Sequence, residues 1–217
     1  MKPKKIQNNT SNKSLNKKHL IIISLLLLIG LLTFSLDSTI IKLFEGLRSP
    51  TVTSIMTFFT FFGEFEVYIL ISIILSIFFL LKQNLSTAKN FVLGTITTFV
   101  IVFLLKFIVS RPRPEGLSIV ETSFKSFPSG HAAMMFFIVP FFYSNTTNNA
   151  NFKNNKTSEK ENISNNFFNY KNPLLYITLL AIVVSVSRVY LGVHYLSDVF
   201  FGGLIGYLLG SYFSKLR

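Results

Sequence analysis

Six stretches of this 217-residue chain are long, apolar and nearly free of charge: 19–36, 67–81, 90–105, 131–144, 173–187 and 196–213. Such runs decide the solvent. Backbone groups in lipid must bond within their own segment or around a closed barrel, and none of the runs alternates with the period of two that a barrel strand needs. Helices remain. Several runs fall short of the roughly 20 residues a span requires, and their polar ends supply the difference in the headgroup region. The expected fold is all-α, an integral membrane six-helix transmembrane bundle. A signal peptide is the competing reading of 19–36, but the run is long for one and no small-x-small cleavage site follows it.

Composition agrees. Half the residues are hydrophobic, 25 are Phe and 14% are charged, against about 25% charged in soluble domains, which excludes an ordinary soluble enzyme. The formal charge of +12 would suggest nucleic acid if the basic residues shared one polar surface. They lie between apolar runs instead, where Lys and Arg set membrane orientation, so no nucleic-acid partner is expected. No Cys is present, which removes disulfides, thiolate chemistry and Cys-ligated metals.

Residues 1–18 carry six Lys and no acid, and read as a disordered basic cytoplasmic tail. Residues 19–217 form one membrane domain, interrupted by an Asn-rich loop at 145–172 that reads as a flexible cytoplasmic linker. Between the first two spans, Ile40, Leu43, Phe44 and Leu47 recur at helical spacing around Lys42, Glu45 and Arg48, an amphipathic pattern suited to the membrane surface. Thr51–Phe62 is uncharged but too short to cross, and reads as a second interfacial or re-entrant helix.

With the N-terminus inside, 14 of the 21 Lys and Arg fall on the cytoplasmic side and seven outside, the excess the positive-inside rule requires. Charges at membrane depth are costly and mark function. They gather at Lys106–Arg113, at Ser129-Gly130-His131 and at Arg188–Asp198. Helix parity brings all three groups to the outer interface. Snorkelling explains Lys106, Arg113 or Arg188 singly, but not two His and an Asp at the same level. No nearby Asp or Glu neutralises all three cations, and guanidinium groups match phosphate oxygens. Ser129 and Gly130 precede a helix, whose N-terminal N–H groups favour anions. His194 and Asp198, four apart, share a helix face. A carboxylate there can hold one ring nitrogen and leave the other nucleophilic, with His131 as general acid. A site of two His and one carboxylate for a metal uses the same side chains, but three cations around it oppose a divalent ion.

Three motifs now stand in order. Lys106-Phe-Ile-Val-Ser-Arg-Pro-Arg113-Pro114 is Lys, six residues, Arg-Pro. Pro128-Ser129-Gly130-His131 follows, then Ser187-Arg188, five residues, His194, three residues, Asp198. Together they resemble the type 2 phosphatidic acid phosphatase superfamily, and the size and span plan resemble its small bacterial membrane members. The resemblance implies that His194 attacks phosphorus, Asp198 orients it, and His131 protonates the departing oxygen. Lys106, Arg113, Ser129, Gly130 and Arg188 then hold the phosphoryl oxygens, with Arg111 and Ser126 nearby. Basic residues take the place of a metal, so neither metal nor cofactor is expected. An outer-face site in the bacterial plasma membrane favours undecaprenyl diphosphate as substrate, with phosphatidylglycerophosphate or phosphatidic acid next. The alternatives are a lipid-phosphate transporter or a lipid-linked phosphotransferase built on the same basic site. Oligomeric state is not legible.

Overall fold

The computed structural model describes residues 10–82, 85–120, 124–154 and 173–216, with backbone only for 10–23, Leu27 and 144–154. The regular structure among these residues is all helical, with no strand. In order they form α1 (Thr10–Gly46), α2 (Pro50–Phe61), α3 (Phe65–Lys82), α4 (Leu85–Val109), α5 (Gly130–Asn154), α6 (Pro173–Tyr190) and α7 (Leu196–Phe213). Five stretches are long and apolar enough to cross a membrane: Ser24–Gly46, Phe65–Lys82, Leu85–Val109, Pro173–Tyr190 and Leu196–Phe213. Gly130–Tyr143 is a shorter apolar helix. Large apolar side chains such as Leu31, Leu70, Leu93 and Ile108 are exposed on α1, α3 and α4. In lipid, an apolar exterior is the solvated state of these helices.

Three boundaries differ from expectation. The amphipathic pattern at 40–47 is not a separate interfacial helix; it is the end of α1, which runs unbroken through Asp37 to Gly46. The helix also begins at Thr10, so 10–18, expected to be disordered, are helical. That segment contains neither Gly nor Pro to stop a helix propagating from the apolar run. Residues 1–9 of the expected tail lie outside the described residues. Likewise α5 continues through 145–154, the first part of the expected Asn-rich linker, again without Gly or Pro; 155–172 lie outside the described residues.

α2 begins as its sequence dictates. Ser49 caps it, its Oγ accepting from Val52 N at 3.3 Å, and Pro50 takes the first turn, where a missing N–H costs nothing. Both flanks of α2 are tied to the same end of the bundle. Arg48 donates to the Tyr190 and Leu117 carbonyls, and Ser49 N donates to Tyr190 Oη. At the other flank Glu64 lies beside His131 and Arg188.

The most extensive pairing joins α5 to α7. Gly202, Gly206 and Gly210 recur every four residues on one face of α7 and meet the backbone of Ser129, just ahead of α5, and of Ala133 and Phe137 within it. Without side chains at these three points the helix backbones approach closely, the usual way to gain contact in a membrane interior. The seam starts at the functional end, where Ser129 N donates to the Asp198 carbonyl at 2.9 Å. At its far end, Phe79, Phe91, Phe137 and Phe141 form a buried cluster, with Phe79 and Phe91 centroids 5.1 Å apart and Phe91 edge-on to Phe141 at 5.0 Å. That cluster locks α3, α4 and α5 away from the polar end.

Candidate active site

One end of the bundle collects the polar side chains. The last turn of α4 brings Lys106, the first turn of α5 His131, the last turn of α6 Arg188, and the first turn of α7 Asp198. Ser110, at φ +47°, closes α4, and the chain that follows carries Arg111 and Arg113 back across the same end. Between α6 and α7, the Arg188 carbonyl accepts from both Val193 N and His194 N at 3.2 Å. Gly192 makes this fold-back possible. Its φ is +74°, and a Cβ there would run into the Leu117 backbone, so a residue with a side chain is excluded twice.

His194 is 2% exposed and Asp198 fully buried. His194 Nδ1 lies 3.6 Å from Asp198 Oδ2, facing it but beyond hydrogen-bond length. The carboxylate is fixed by other donors. Oδ1 accepts from Arg111 Nη1 at 2.7 Å, while Oδ2 accepts from Tyr195 N at 2.9 Å and from Ser126 Oγ in a very short contact. Burial pushes His194 down to about 3, and Arg188, Arg113 and Lys106 push the same way against Asp198. The imidazole is therefore neutral at physiological pH. A neutral ring with one nitrogen turned to a carboxylate is equipped for nucleophilic attack through the other.

The three cations named from the sequence converge here, and neutral atoms hold each of them. Lys106 Nζ donates to the Lys125 carbonyl at 2.7 Å. Arg113 donates to the Phe124 and Val193 carbonyls, both at 2.6 Å, and Arg188 Nη1 to Thr60 Oγ1 at 2.6 Å. The charges of Lys106 and Arg113 stay available to an anion, while Arg188 Nη1 also faces Glu64 Oε1 at 3.7 Å. Ser129 acts differently from expectation: its backbone N–H is committed to the Asp198 carbonyl, leaving Oγ as the unpartnered group. Among the described residues, the buried side-chain atoms without a hydrogen bond include Ser129 Oγ, His131 Nε2, Arg188 Nε and His194 Nδ1. Native interiors leave few such atoms, and those left usually mark function.

Two acids escaped the sequence reading. Glu64, half exposed between α2 and α3, places Oε1 3.4 Å from His131 Nε2 and 3.7 Å from Arg188 Nη1. The adjacent His131 imidazole, with Arg188, holds its carboxyl below the usual range against the effect of burial. Asp37, buried in α1, pairs with Arg111 Nη2 at 2.8 Å. Of the three cations expected to lack acids enough to neutralise them all, Arg188 faces Glu64, while Asp37 pairs with Arg111 instead; both acids come from segments distant in sequence. The one available signal was an acid stranded among apolar residues, Ser35-Leu36-Asp37 and Phe62-Gly63-Glu64-Phe65. Among the described residues, no group of three or more His, Asp or Glu could hold a metal ion.

Comparison with known proteins accords with this geometry. Residues 87–217 match the PAP2 superfamily. The chain is 29% identical over 182 residues to phosphatidylglycerophosphatase B of Bacillus subtilis (strain 168), covering 81% of this chain and 80% of that protein. Its fold matches the crystal structure of the first transmembrane PAP2 type phosphatidylglycerolphosphate phosphatase from Bacillus subtilis, with a TM-score of 0.68 at 24% identity over 88% of this chain and 92% of that one. It also matches Aquifex aeolicus LpxE, with a TM-score of 0.62 at 25% identity over 83% and 96%. The chain belongs to the PAP2 superfamily, as a membrane lipid phosphatase and a phosphoric ester hydrolase.

Proposed function

We propose that this chain hydrolyses a membrane lipid phosphate or diphosphate at the outer face of the bacterial plasma membrane, through a phosphohistidine on His194. The observation that carries the reading is the meeting of Ser129 Oγ and Arg188 Nε, both buried without a hydrogen bond, with His131, with His194 backed by Asp198 at 3.6 Å, and with the cations Lys106 and Arg113, which donate to backbone carbonyls. A phosphoryl group brings the acceptor oxygens that such donors lack.

In the first step, the free ring nitrogen of neutral His194 attacks phosphorus. The phosphorus–oxygen bond to the lipid breaks, and His131 gives its proton to the departing oxygen. Asp198 faces the Nδ1–H of His194 and stabilises the positive charge that develops on the ring. In the second step, water gives a proton to His131 and its oxygen to phosphorus, releasing phosphate and restoring both histidines. Lys106, Arg113, Arg188 and the Ser129–Gly130 turn hold the equatorial oxygens. The protein's contribution is positioning and electrostatics, as phosphoryl transfer demands. Glu64 occupies the anion position beside His131 and Arg188 until a phosphate displaces it.

The sidedness belongs to this reading and takes the shorter apolar helix Gly130–Tyr143 as a sixth crossing beside the five long ones, with α2, both of whose flanks are tied to one end, along the interface. The Lys and Arg excess of 14 against seven then puts the tail and the Asn-rich segment in the cytoplasm and the site outside. For the substrate, the likeness to phosphatidylglycerophosphatase B brings phosphatidylglycerophosphate to the front. Undecaprenyl diphosphate, favoured by sidedness, comes next, and phosphatidic acid after it.

The test is phosphate release by detergent-solubilised protein in EDTA, with phosphatidylglycerophosphate and undecaprenyl diphosphate at matched surface concentration and His194→Ala as control. Release that persists in EDTA, and is lost in the variant, is expected; the faster lipid is the substrate. No release from either lipid overturns the reading in favour of transport or transfer to another acceptor.

A further inference from the structure

Arg111 lies among the site cations but is held differently from them. Lys106, Arg113 and Arg188 donate to carbonyls or a hydroxyl, whereas Arg111 spans two carboxylates. Its Nη1 donates to Asp198 Oδ1 and Ser197 Oγ, both at 2.7 Å, and its Nη2 to Asp37 Oδ2 at 2.8 Å. The guanidinium plane is clamped as well, with Cζ 4.0 Å from the Tyr195 ring centroid and 5.1 Å from that of Phe34. Asp37 is itself anchored to the first turn of α7: Oδ1 accepts from Ser197 N at 2.9 Å and Oδ2 from Ser197 Oγ at 2.5 Å.

We propose that Asp37 and Arg111 are positioning residues that act on the nucleophile through Asp198. The proposal rests on His194 being that nucleophile. Geometry gives the first reason. The rigid guanidinium fork fixes Oδ1 of Asp198 and so sets the rotation that leaves Oδ2 toward His194 Nδ1. Charge gives the second. Arg111 with Asp198 alone would sum to zero and blunt the carboxylate's pull on a developing imidazolium. Asp37 adds a negative charge on the far side of the guanidinium, so the buried trio keeps a net charge of minus one for His194 to feel. With both Nη atoms committed to carboxylates, Arg111 is not a phosphate ligand. Segments 160 residues apart, on α1 and α7, are joined at this point, which ties the packing of the first helix to the catalytic pair.

The test compares Asp37→Asn, which keeps the shape and removes the charge, with Arg111→Lys, Arg111→Ala and Arg113→Lys, on a soluble short-chain lipid phosphate. Residues that orient a functional group from behind typically change activity by about 10–100-fold. Asp37→Asn and Arg111→Lys should lower kcat by about that factor, while KM and the competitive Ki of inorganic phosphate stay within about twofold. Arg113→Lys should raise KM and Ki instead. Added guanidinium ion should restore part of the kcat of Arg111→Ala and leave the wild type unaffected. Should Arg111→Ala fail to fold, Asp37→Asn carries the test. A wild-type kcat in Asp37→Asn overturns the proposal, as does a raised KM with retained kcat in Arg111→Lys. Phosphate release retained by His194→Ala would instead remove the nucleophile, and this assignment with it.

Discussion

The glycine seam between α5 and α7 makes the spacing of the two histidines a packing quantity. Gly206→Ala tests it. A Cβ at 206 would stand 2.7 Å from the carbonyl carbon and 2.9 Å from the Cα of Ala133, and nearer still to its oxygen. Carbon atoms pack at about 3.5–4.0 Å, so the helices must part by about 1 Å, and both obstacles are backbone. Overpacking of this kind costs about 1–3 kcal/mol, or about 2–12 °C in unfolding temperature for a chain of this size. Opening the seam also moves His131 relative to His194 and Asp198, and a displacement of about 1 Å can cost about 100-fold in rate. Helix propensity runs the other way, since Ala exceeds Gly by about 1 kcal/mol. Gly46→Ala is the control, with nothing within 4 Å of its Cβ. Phosphate release and thermal unfolding in detergent should both fall for Gly206→Ala and hold for Gly46→Ala. Unchanged kcat and unfolding temperature in Gly206→Ala would refute the idea that this seam sets the geometry.

Other outcomes follow from single groups. Glu64→Gln should tighten inhibition by inorganic phosphate about fivefold, taking about 1 kcal/mol for a half-exposed charge screened by solvent, and should lower kcat because His131 loses the anion beside its proton. An unchanged Ki would show that Glu64 does not compete with phosphate. His194 lies at about 3 in the fold against an ordinary 6.5. The unfolded chain therefore takes up a proton between those values that the fold refuses, and stability falls as pH drops below 6.5. Unfolding temperatures measured from pH 7.5 to 5 should decline less steeply for His194→Gln than for wild type; parallel curves would contradict the burial of a neutral ring. Phe58 on α2 is exposed, and Phe58→Glu should raise KM for long-chain lipids while sparing short-chain ones if α2 borders the lipid's approach. Equal effects on both would remove that role.

The spans and the converging cations were legible because lipid leaves the chain few choices. Apolar runs must be helices, and parity alone brings Lys106, His131, Arg188 and Asp198 to one end. Boundaries were less legible where nothing breaks a helix. A polar stretch such as Thr10–Lys18 or 145–154 continues a helix begun elsewhere, and period or composition gives no stop. Asp37 shows the other limit. It reads as a lone acid between an apolar run and an amphipathic turn, and its meaning depends on Arg111 and Ser197, brought to it only by the packing of α1 on α7. Glu64 is similar: sequence separates it widely from His131 and Arg188, and the return of α2 to the same end closes the gap. The glycine seam was in plain sight at 202, 206 and 210, but its partner backbone at 129, 133 and 137 could not be read from one helix.

The central claim is a covalent bond between His194 and phosphorus. Rapid mixing of the enzyme with lipid labelled in its terminal phosphate, quenched in alkali within milliseconds, should trap protein-bound label that is stable in base, labile in acid and carried by the peptide containing His194. Labelling should be lost in His194→Ala, and should build up more slowly in His131→Ala, where the departing oxygen leaves without a proton from the ring. Rapid phosphate release by wild-type enzyme with no labelled protein at any quench time would contradict the phosphohistidine and point to direct attack by water.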